Sequence, residues 1–302
     1  MYGYGYQYSA IINGGGGNPA AAIFAAYKSR VLTDGGVVEN DACTIAFLES
    51  IGAGTDIIPL FDADYQAVLD YGTAQGYTLP SGGQQTLQND LVVALKAAGV
   101  WSKLDTFGVW ATDGDSDFAL IDWKRLTDYT AVNSPTFTTN QGFQGNGTSA
   151  YINSNFNILN DSVNMLVDDA SLGAYVFTAT TTGFEILGTD DSVNRVRNSS
   201  TVLQRVLAAS NASTNIDFSG TGLMSGYKNS LSNWTFYKDN VQKFNGSFTS
   251  GNKTAFQNLY FLTHNGINSF SNAELSVVFG GASLDSEHTD FYNSINSYIS
   301  SL

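Results

Sequence analysis

The run Asp113-Gly114-Asp115-Ser116-Asp117 places carboxylates at alternate positions, the spacing with which the first half of a calcium loop gathers oxygen ligands. The second half of such a loop is missing, because Phe118 stands where glycine is needed and Lys124 where a bidentate Glu is needed. Two readings follow. Asp113, Asp115 and Asp117 hold Ca2+ without a closing ligand, or the run is a turn, since Asp and Ser favour turns by bonding their own backbone. The turn needs no missing ligand and is the preferred reading.

Other chemistry is excluded by absence from the sequence. There is no Gly-x-Ser-x-Gly elbow, no phosphate loop ending in Gly-Lys-Ser/Thr and no His-Glu-x-x-His. The glycine run Gly14 to Gly17 has no Lys after it and is not a phosphate cradle. Cys43 is the single cysteine and His264 and His288 are the two histidines, so multi-cysteine and histidine-rich metal sites drop out. Cys43 reads as a small buried hydrophobe. Glycoside hydrolysis needs two facing carboxylates; Glu185 and Glu274 belong to no Glu-x-Asp-x-x-Glu strand pattern, and Asp pairs from distant segments stay open. The expectation is a protein that is not an enzyme and needs no certain cofactor. Trp110, Trp123, Trp234, Tyr237 and Tyr260 could stack on sugar rings, although strand alternation sends about half of such residues to the core.

These residues need elements to position them. The chain has 302 residues, 43% hydrophobic, 13% aromatic and only 13% charged, enough apolar surface for a core under a polar surface built from Asn, Ser, Thr and Gln. The net charge of −14 disfavours nucleic acid and anionic membrane surfaces. The N-terminus lacks a basic and apolar signal, and no stretch reaches the ~18 apolar residues of a spanning helix, so conventional export and membrane insertion are not expected.

Residues 20–100 read as helices. Pro19 suits a first turn, and Asn40, Asp62 and Ser81 or Gly82 suit later helix starts. Tyr65, Val68 and Leu69, then Leu87, Leu91, Val92 and Leu95, recur at helical spacing. From about Trp101 the period changes to short β-rich runs, such as 175–178, 184–187, 234–237, 259–262 and 275–279, separated by Gly, Asn, Asp and Ser. This predicts a sandwich or jelly roll over 101–302. A closing helix is expected with Asp285 as cap and Phe291, Ile295, Tyr298 and Ile299 on one face. Residues 1–19 alternate Tyr with Gly: Tyr2, Tyr4, Tyr6 and Tyr8 offer contact area that is useful only when a partner covers them, so this arm is expected to anchor the chain.

The stretch Phe107-Gly-Val-Trp-Ala-Thr-Asp-Gly-Asp-Ser-Asp-Phe-Ala-Leu-Ile-Asp-Trp-Lys124, with Asn133-Ser-Pro-Thr-Phe137, Gly142-Phe-Gln-Gly-Asn-Gly-Thr-Ser-Ala-Tyr151 and Val278-Phe-Gly-Gly-Ala-Ser-Leu284, resembles concanavalin A-like (laminin-G-like) jelly-roll structural proteins of bacteriophages infecting Bacteroidota. Tyr27-Lys-Ser-Arg-Val-Leu-Thr-Asp-Gly-Gly-Val-Val-Glu39 looks like the helical segment ahead of that jelly roll. The resemblance implies a mainly β, concanavalin A-like β-sandwich with a small helical N-terminal region and one C-terminal helix. It also implies a virion location, with other virion proteins and symmetry mates as partners. The expected role is a spike or fibre-type appendage that presents a lectin-like jelly roll to a host-surface glycan, as a homo-oligomer such as a trimer. The alternatives are a capsid or tail decoration protein that only packs, and a carbohydrate-active enzyme or its binding module. No sugar-binding residue is carried over from the resemblance.

Overall fold

The computed structural model describes residues 61–181, 185–189, 195–198, 206–207, 216–247 and 258–302; the arm with Tyr2, Tyr4, Tyr6 and Tyr8, Cys43 and the first two expected helices lie outside the described residues. Residues 62–302 form one compact unit.

Two helices open it. Helix α1 (Ala63–Gln75) starts where Asp62 accepts the Asp64 N–H and stops at Gly76, whose φ of 81° is left-handed, a conformation glycine adopts without a Cβ penalty. Helix α2 (Gly82–Ala97) starts at Ser81, whose hydroxyl accepts the Gln84 N–H. Tyr65, Val68 and Leu69 turn inward on α1 as their spacing predicts. On α2 the inward face is Gln84, Gln88, Leu91, Val92 and Leu95, and Leu87 is only half-buried. Two glutamines take inward places because polar partners wait for them. Gln88 accepts from the Tyr65 hydroxyl at 2.7 Å and donates to Thr112 Oγ1 and Tyr298 Oη at 3.0 and 3.1 Å.

A 3-10 turn at Trp101–Lys103 leads into the strands. In order these are β1 (Leu104–Val109), then after the one-turn helix α3 (Ser116–Ala119), β2 (Ile121–Asp122), β3 (Thr127–Asp128), β4 (Thr130–Val132), β5 (Thr136–Thr138), β6 (Gly142–Gln144) and β7 (Tyr151–Asn157). There follow β8 (Ala170–Thr178), β9 (Glu185–Gly188), β10 (Arg195–Arg197), β11 (Gly222–Lys228), β12 (Asn233–Lys238), β13 (Val241–Ser247), β14 (Asn258–Phe261) and β15 (Glu274–Gly281), and the closing helix α4 (His288–Ser300). The larger sheet runs β13-β12-β11-β8-β15-β6-β5 with β1 also on β15, and the smaller runs β10-β9-β14-β7-β4. All their pairings are antiparallel. The structure is the mainly β jelly-roll sandwich that the sequence predicts, with helices ahead of it and one helix closing it.

The core between the sheets gathers Ile152 and Phe156 from β7, Leu172 and Val176 from β8, Trp234 and Phe236 from β12, Phe261 from β14 and Val278 from β15. Trp110 packs among them, edge-on to Phe143 and Phe261 with ring centroids 5.6 and 5.3 Å away, the T-shaped geometry aromatic quadrupoles favour. A second core fills the space between the larger sheet and the helices. There Phe279 meets Phe291 at 4.7 Å and Tyr65 meets Trp123 at 5.5 Å, while the Tyr298 hydroxyl donates to the Ala111 carbonyl at 2.6 Å. Strands β11 and β15 are therefore buried at every position, as expected for a sheet covered on both faces. Gly173 on β8 is needed for this close packing, since a Cβ there would lie 2.2 Å from the Met224 carbonyl oxygen and 2.5 Å from Phe279 Cζ.

The closing helix departs from expectation at its start. Asp285 does not cap it; the N-cap is Glu287, without a side-chain bond, and Asp285 Oδ2 accepts instead from Asn229 Nδ2 at 3.0 Å. His288 joins Phe291, Ile295 and Tyr298 on the buried face in place of Ile299.

Candidate functional site

Two of the three carboxylates of the 113–117 run serve the backbone. Asp115 caps α3 by accepting the Phe118 N–H at 2.8 Å and, through its other oxygen, the Thr78 N–H at 2.6 Å. Asp113 Oδ1 accepts the Ser81 N–H at 2.9 Å, and Asp117 lies in the first turn of α3. Burial raises the Asp115 pKa, but the bonds from Phe118 and Thr78 outweigh it and hold the carboxyl below its usual range. Among the described residues no group of three or more His, Cys, Asp or Glu side chains is placed to hold a metal ion. Of the aromatic candidates, Trp110, Trp123 and Trp234 are buried in the cores, whereas Tyr237 and Tyr260 stay half-exposed.

Among the described residues, a cleft of about 590 Å³ is lined by Lys103, Leu166, Asp168, Asp169, Asn229, Ser230, Ser283, Asp285 and Ser286. It forms where one end of the larger sheet brings together the start of β1, the start of β8, the β11–β12 turn and the segment from β15 to α4. Register explains the meeting, because Gly281 of β15 pairs with Leu104 of β1 and with Ser171 of β8, while Ala170 pairs with Lys228 of β11.

Its polar groups are tied to one another. Asp169 Oδ1 accepts the Ser283 N–H at 2.6 Å, the Ser283 hydroxyl donates to Asn229 Oδ1 at 2.6 Å, and Asn229 Nδ2 donates to Thr235 Oγ1 at 2.7 Å as well as to Asp285. Lys103 is drawn to one side by Glu287 at 2.7 Å. Each of these side chains is thus held in one orientation by a bond that leaves further acceptor or donor capacity for a ligand.

Behind the cleft lie three perturbed groups. Lys228 is fully buried, with Nζ 2.9 Å from the Leu207 carbonyl and 4.7 Å from the Trp234 ring centroid. Burial lowers its pKa to about 8, against the pull of the Asp168 charge. Tyr237 is pushed up to about 12, by burial first and then by the charge of Asp285. It stacks on His288, with ring centroids 3.8 Å apart. His288 Nε2 donates to the Asp239 carbonyl at 2.8 Å, which leaves Nδ1 to accept from the Tyr227 hydroxyl at 2.7 Å. Burial lowers the His288 pKa.

Asp168, Asp169, Asn229 and Ser283 escape sequence reasoning, since they lie up to 115 positions apart by their own numbering and carry no shared local pattern.

No family model matches the chain, and no curated protein matches it in sequence. Domain 4 of AbnA, a GH43 extracellular arabinanase from Geobacillus stearothermophilus solved with arabinotriose, is similar over 63% of this chain and 98% of its own, at 14% identity and a TM-score of 0.43. A Trypanosoma rangeli sialidase mutant displaying trans-sialidase activity is similar over 72% of this chain and 40% of its own, at 12% identity and a TM-score of 0.44. The binding domain of botulinum neurotoxin serotype D is similar over 64% of this chain and 52% of its own, at 13% identity and a TM-score of 0.41. The chain spans less than two thirds of the latter two, and at TM-scores below 0.5 none of these likenesses carries an argument about what this chain does.

Proposed function

We propose that the chain is a non-enzymatic virion structural protein, a spike or fibre-type appendage that is anchored by its N-terminal region and holds a host-surface glycan in the cleft of its sandwich. The observation that carries the glycan reading is the tied array of Asp169, Asn229, Ser283 and Asp285 around about 590 Å³. Sugar hydroxyls both donate and accept, so they are matched by carboxylate, amide and hydroxyl groups set close together. Because those side chains are already ordered, binding costs little further side-chain entropy. Leu166, half exposed in the same wall, offers an apolar contact for ring C–H groups.

The absence of catalysis is supported by where the buried carboxylates are committed. Asp122 binds Arg125 Nε at 2.8 Å and the Thr106 hydroxyl at 2.7 Å, Glu185 pairs with Arg197 at 3.0 Å, and Glu274 accepts from Thr178 at 2.8 Å. In the cleft, Asp169 and Asp285 each spend an oxygen on a structural bond. The anchoring role is assigned to Tyr2, Tyr4, Tyr6 and Tyr8 on their sequence alone, with symmetry mates in a homo-oligomer such as a trimer as neighbours.

The test has two parts. Immunogold labelling should find the chain on assembled particles, and the purified chain should bind surface polysaccharide of susceptible cells without releasing reducing ends. Asp168→Asn, which removes the charge that acts on Lys228 but no side-chain hydrogen bond among the described residues, should weaken that binding several-fold. Release of reducing ends that disappears in an Asp→Asn variant of the cleft would show an enzyme instead.

A further inference from the structure

Four asparagines of the chain are followed by glycine: Asn13, Asn146, Asn245 and Asn265. Asn13 lies outside the described residues. In such a pair the glycine nitrogen can attack the asparagine side-chain carbon Cγ, because glycine has no Cβ to obstruct the approach. The three described pairs are held differently, so the fold decides which of them reacts.

Asn146 is locked at both reacting ends. Its Oδ1 accepts the N–H groups of Thr148, Ser149 and Ala150 at 2.9, 2.8 and 2.9 Å, and its Nδ2 donates to Ser149 Oγ at 3.2 Å. The nitrogen that would attack, Gly147 N, donates to the Ser271 carbonyl at 3.2 Å. Asn245 and Gly246 lie within β13, where they pair with Thr235 and Trp234 of β12. An extended strand holds each side chain off the sheet, away from the next peptide nitrogen.

Asn265 lies in the loop between β14 and β15, which Thr263 closes by donating from Oγ1 to the Asn268 carbonyl at 2.8 Å. Its Oδ1 accepts the Ile267 and Asn268 N–H groups, both at 3.1 Å. That oxygen takes up negative charge when Cγ is attacked, and backbone N–H groups aimed at it stabilise the charge. What sets Asn265 apart from Asn146 is the attacking nitrogen. Among the described residues nothing accepts the Gly266 N–H, so no bond has to break before it attacks. Asn265 and Gly266 are half-buried and Ile267 beside them is 72% exposed, so hydroxide and water reach the loop.

We infer that Asn265 is a site of spontaneous modification, at which the chain converts its own Asn265-Gly266 linkage to an isoaspartyl or aspartyl form. Hydroxide removes the Gly266 amide proton and the nitrogen bonds to Asn265 Cγ. The Cγ–Nδ2 bond then breaks, and the side-chain nitrogen leaves as ammonia with a proton from water, which restores the hydroxide. Water opens the resulting five-membered succinimide ring. Its attack at the main-chain carbonyl leaves an isoaspartyl linkage, and its attack at Cγ leaves an aspartate. Either product adds a carboxylate to a loop that has none, beside Tyr151, whose hydroxyl lies 3.2 Å from where a Gly266 Cβ would stand. The inference stands on this geometry and does not depend on the glycan reading.

The test is peptide mapping by mass spectrometry of the full chain after storage at mildly alkaline and at mildly acidic pH, folded and in urea. In the folded chain Asn265 is expected to convert about tenfold faster than Asn146 or Asn245, the factor that one hydrogen bond to be broken imposes on a rate. The conversion should be faster at the higher pH. In urea the three pairs should convert at similar rates. Asn265→Gln, which would need a six-membered ring, should lose the conversion at that place and leave the other two unchanged. Conversion of folded Asn146 or Asn245 as fast as Asn265, or an Asn265 that stays intact, would overturn the inference. So would a preference for Asn265 that persists in urea, since the local sequence and not the fold would then be its cause.

Discussion

The two sheets of the sandwich face outward onto different surroundings. The larger sheet backs onto helices, and its central strands β11 and β15 are buried at every position; the smaller sheet shows β7 and β14 alternating between buried and half-exposed residues. The difference teaches where this molecule keeps its stability and where it can place contacts. Side chains sealed on both sides contribute burial and hydrogen bonds that folding depends on, while outward residues on an open face can change with little loss to the fold.

The sharpest test of that contrast is Phe291→Ala, which opens a cavity against Phe279 on the covered face and is expected to cost about 3–5 kcal/mol in chemical denaturation. A loss as small as at the open face would break the comparison. Next comes Gln88→Ala, which leaves the hydroxyls of Tyr65, Thr112 and Tyr298 without a shared partner and is expected to cost about 1–3 kcal/mol.

Acid should act on the covered face too. His288 is buried with a lowered pKa, while in the unfolded chain it titrates near 6.5. Above that value both states are neutral and its contribution is complete. As pH falls below it, the unfolded chain takes up a proton that the folded chain refuses, and stability declines until pH passes the folded value. Thermal melts between pH 7 and 5 should show this slope, and His288→Gln, which can still donate to Asp239 O and accept from Tyr227, should flatten part of it.

On the open face, Tyr260→Ala is expected to cost no more than about 1 kcal/mol, read by the same denaturation. Smallest of all is calcium. With Asp113 and Asp115 occupied by backbone N–H groups, millimolar Ca2+ should leave Tm unchanged. A dose-dependent rise would show a native-state ligand and restore the metal reading of Asp113, Asp115 and Asp117.

Much of the fold was legible because it depends on neighbours in sequence. Asp62 and Ser81 cap helices by reaching N–H groups two and three residues on, and Tyr151-Ile-Asn-Ser-Asn-Phe-Asn157 shows its alternation directly. The inward glutamines were not legible. Nothing within α2 says that Gln88 will meet a hydroxyl from Tyr298, 210 positions away, and an apolar pattern alone favours Leu87.

The sequence by itself determined the helix starts at Asp62 and Ser81 and the change to short β-rich runs beyond about Trp101, that multi-cysteine and histidine-rich metal sites are ruled out, and that the 113–117 run suits a turn, because capping, periodicity and composition are local terms. Only the tertiary structure decided which strands share a sheet, which face the helices cover and which residues line the cleft. Those outcomes follow from pairing registers such as Gly281 with both Leu104 and Ser171. Such pairings bring together segments that are far apart along the chain, and their energy is a sum over contacts that no single stretch of sequence contains.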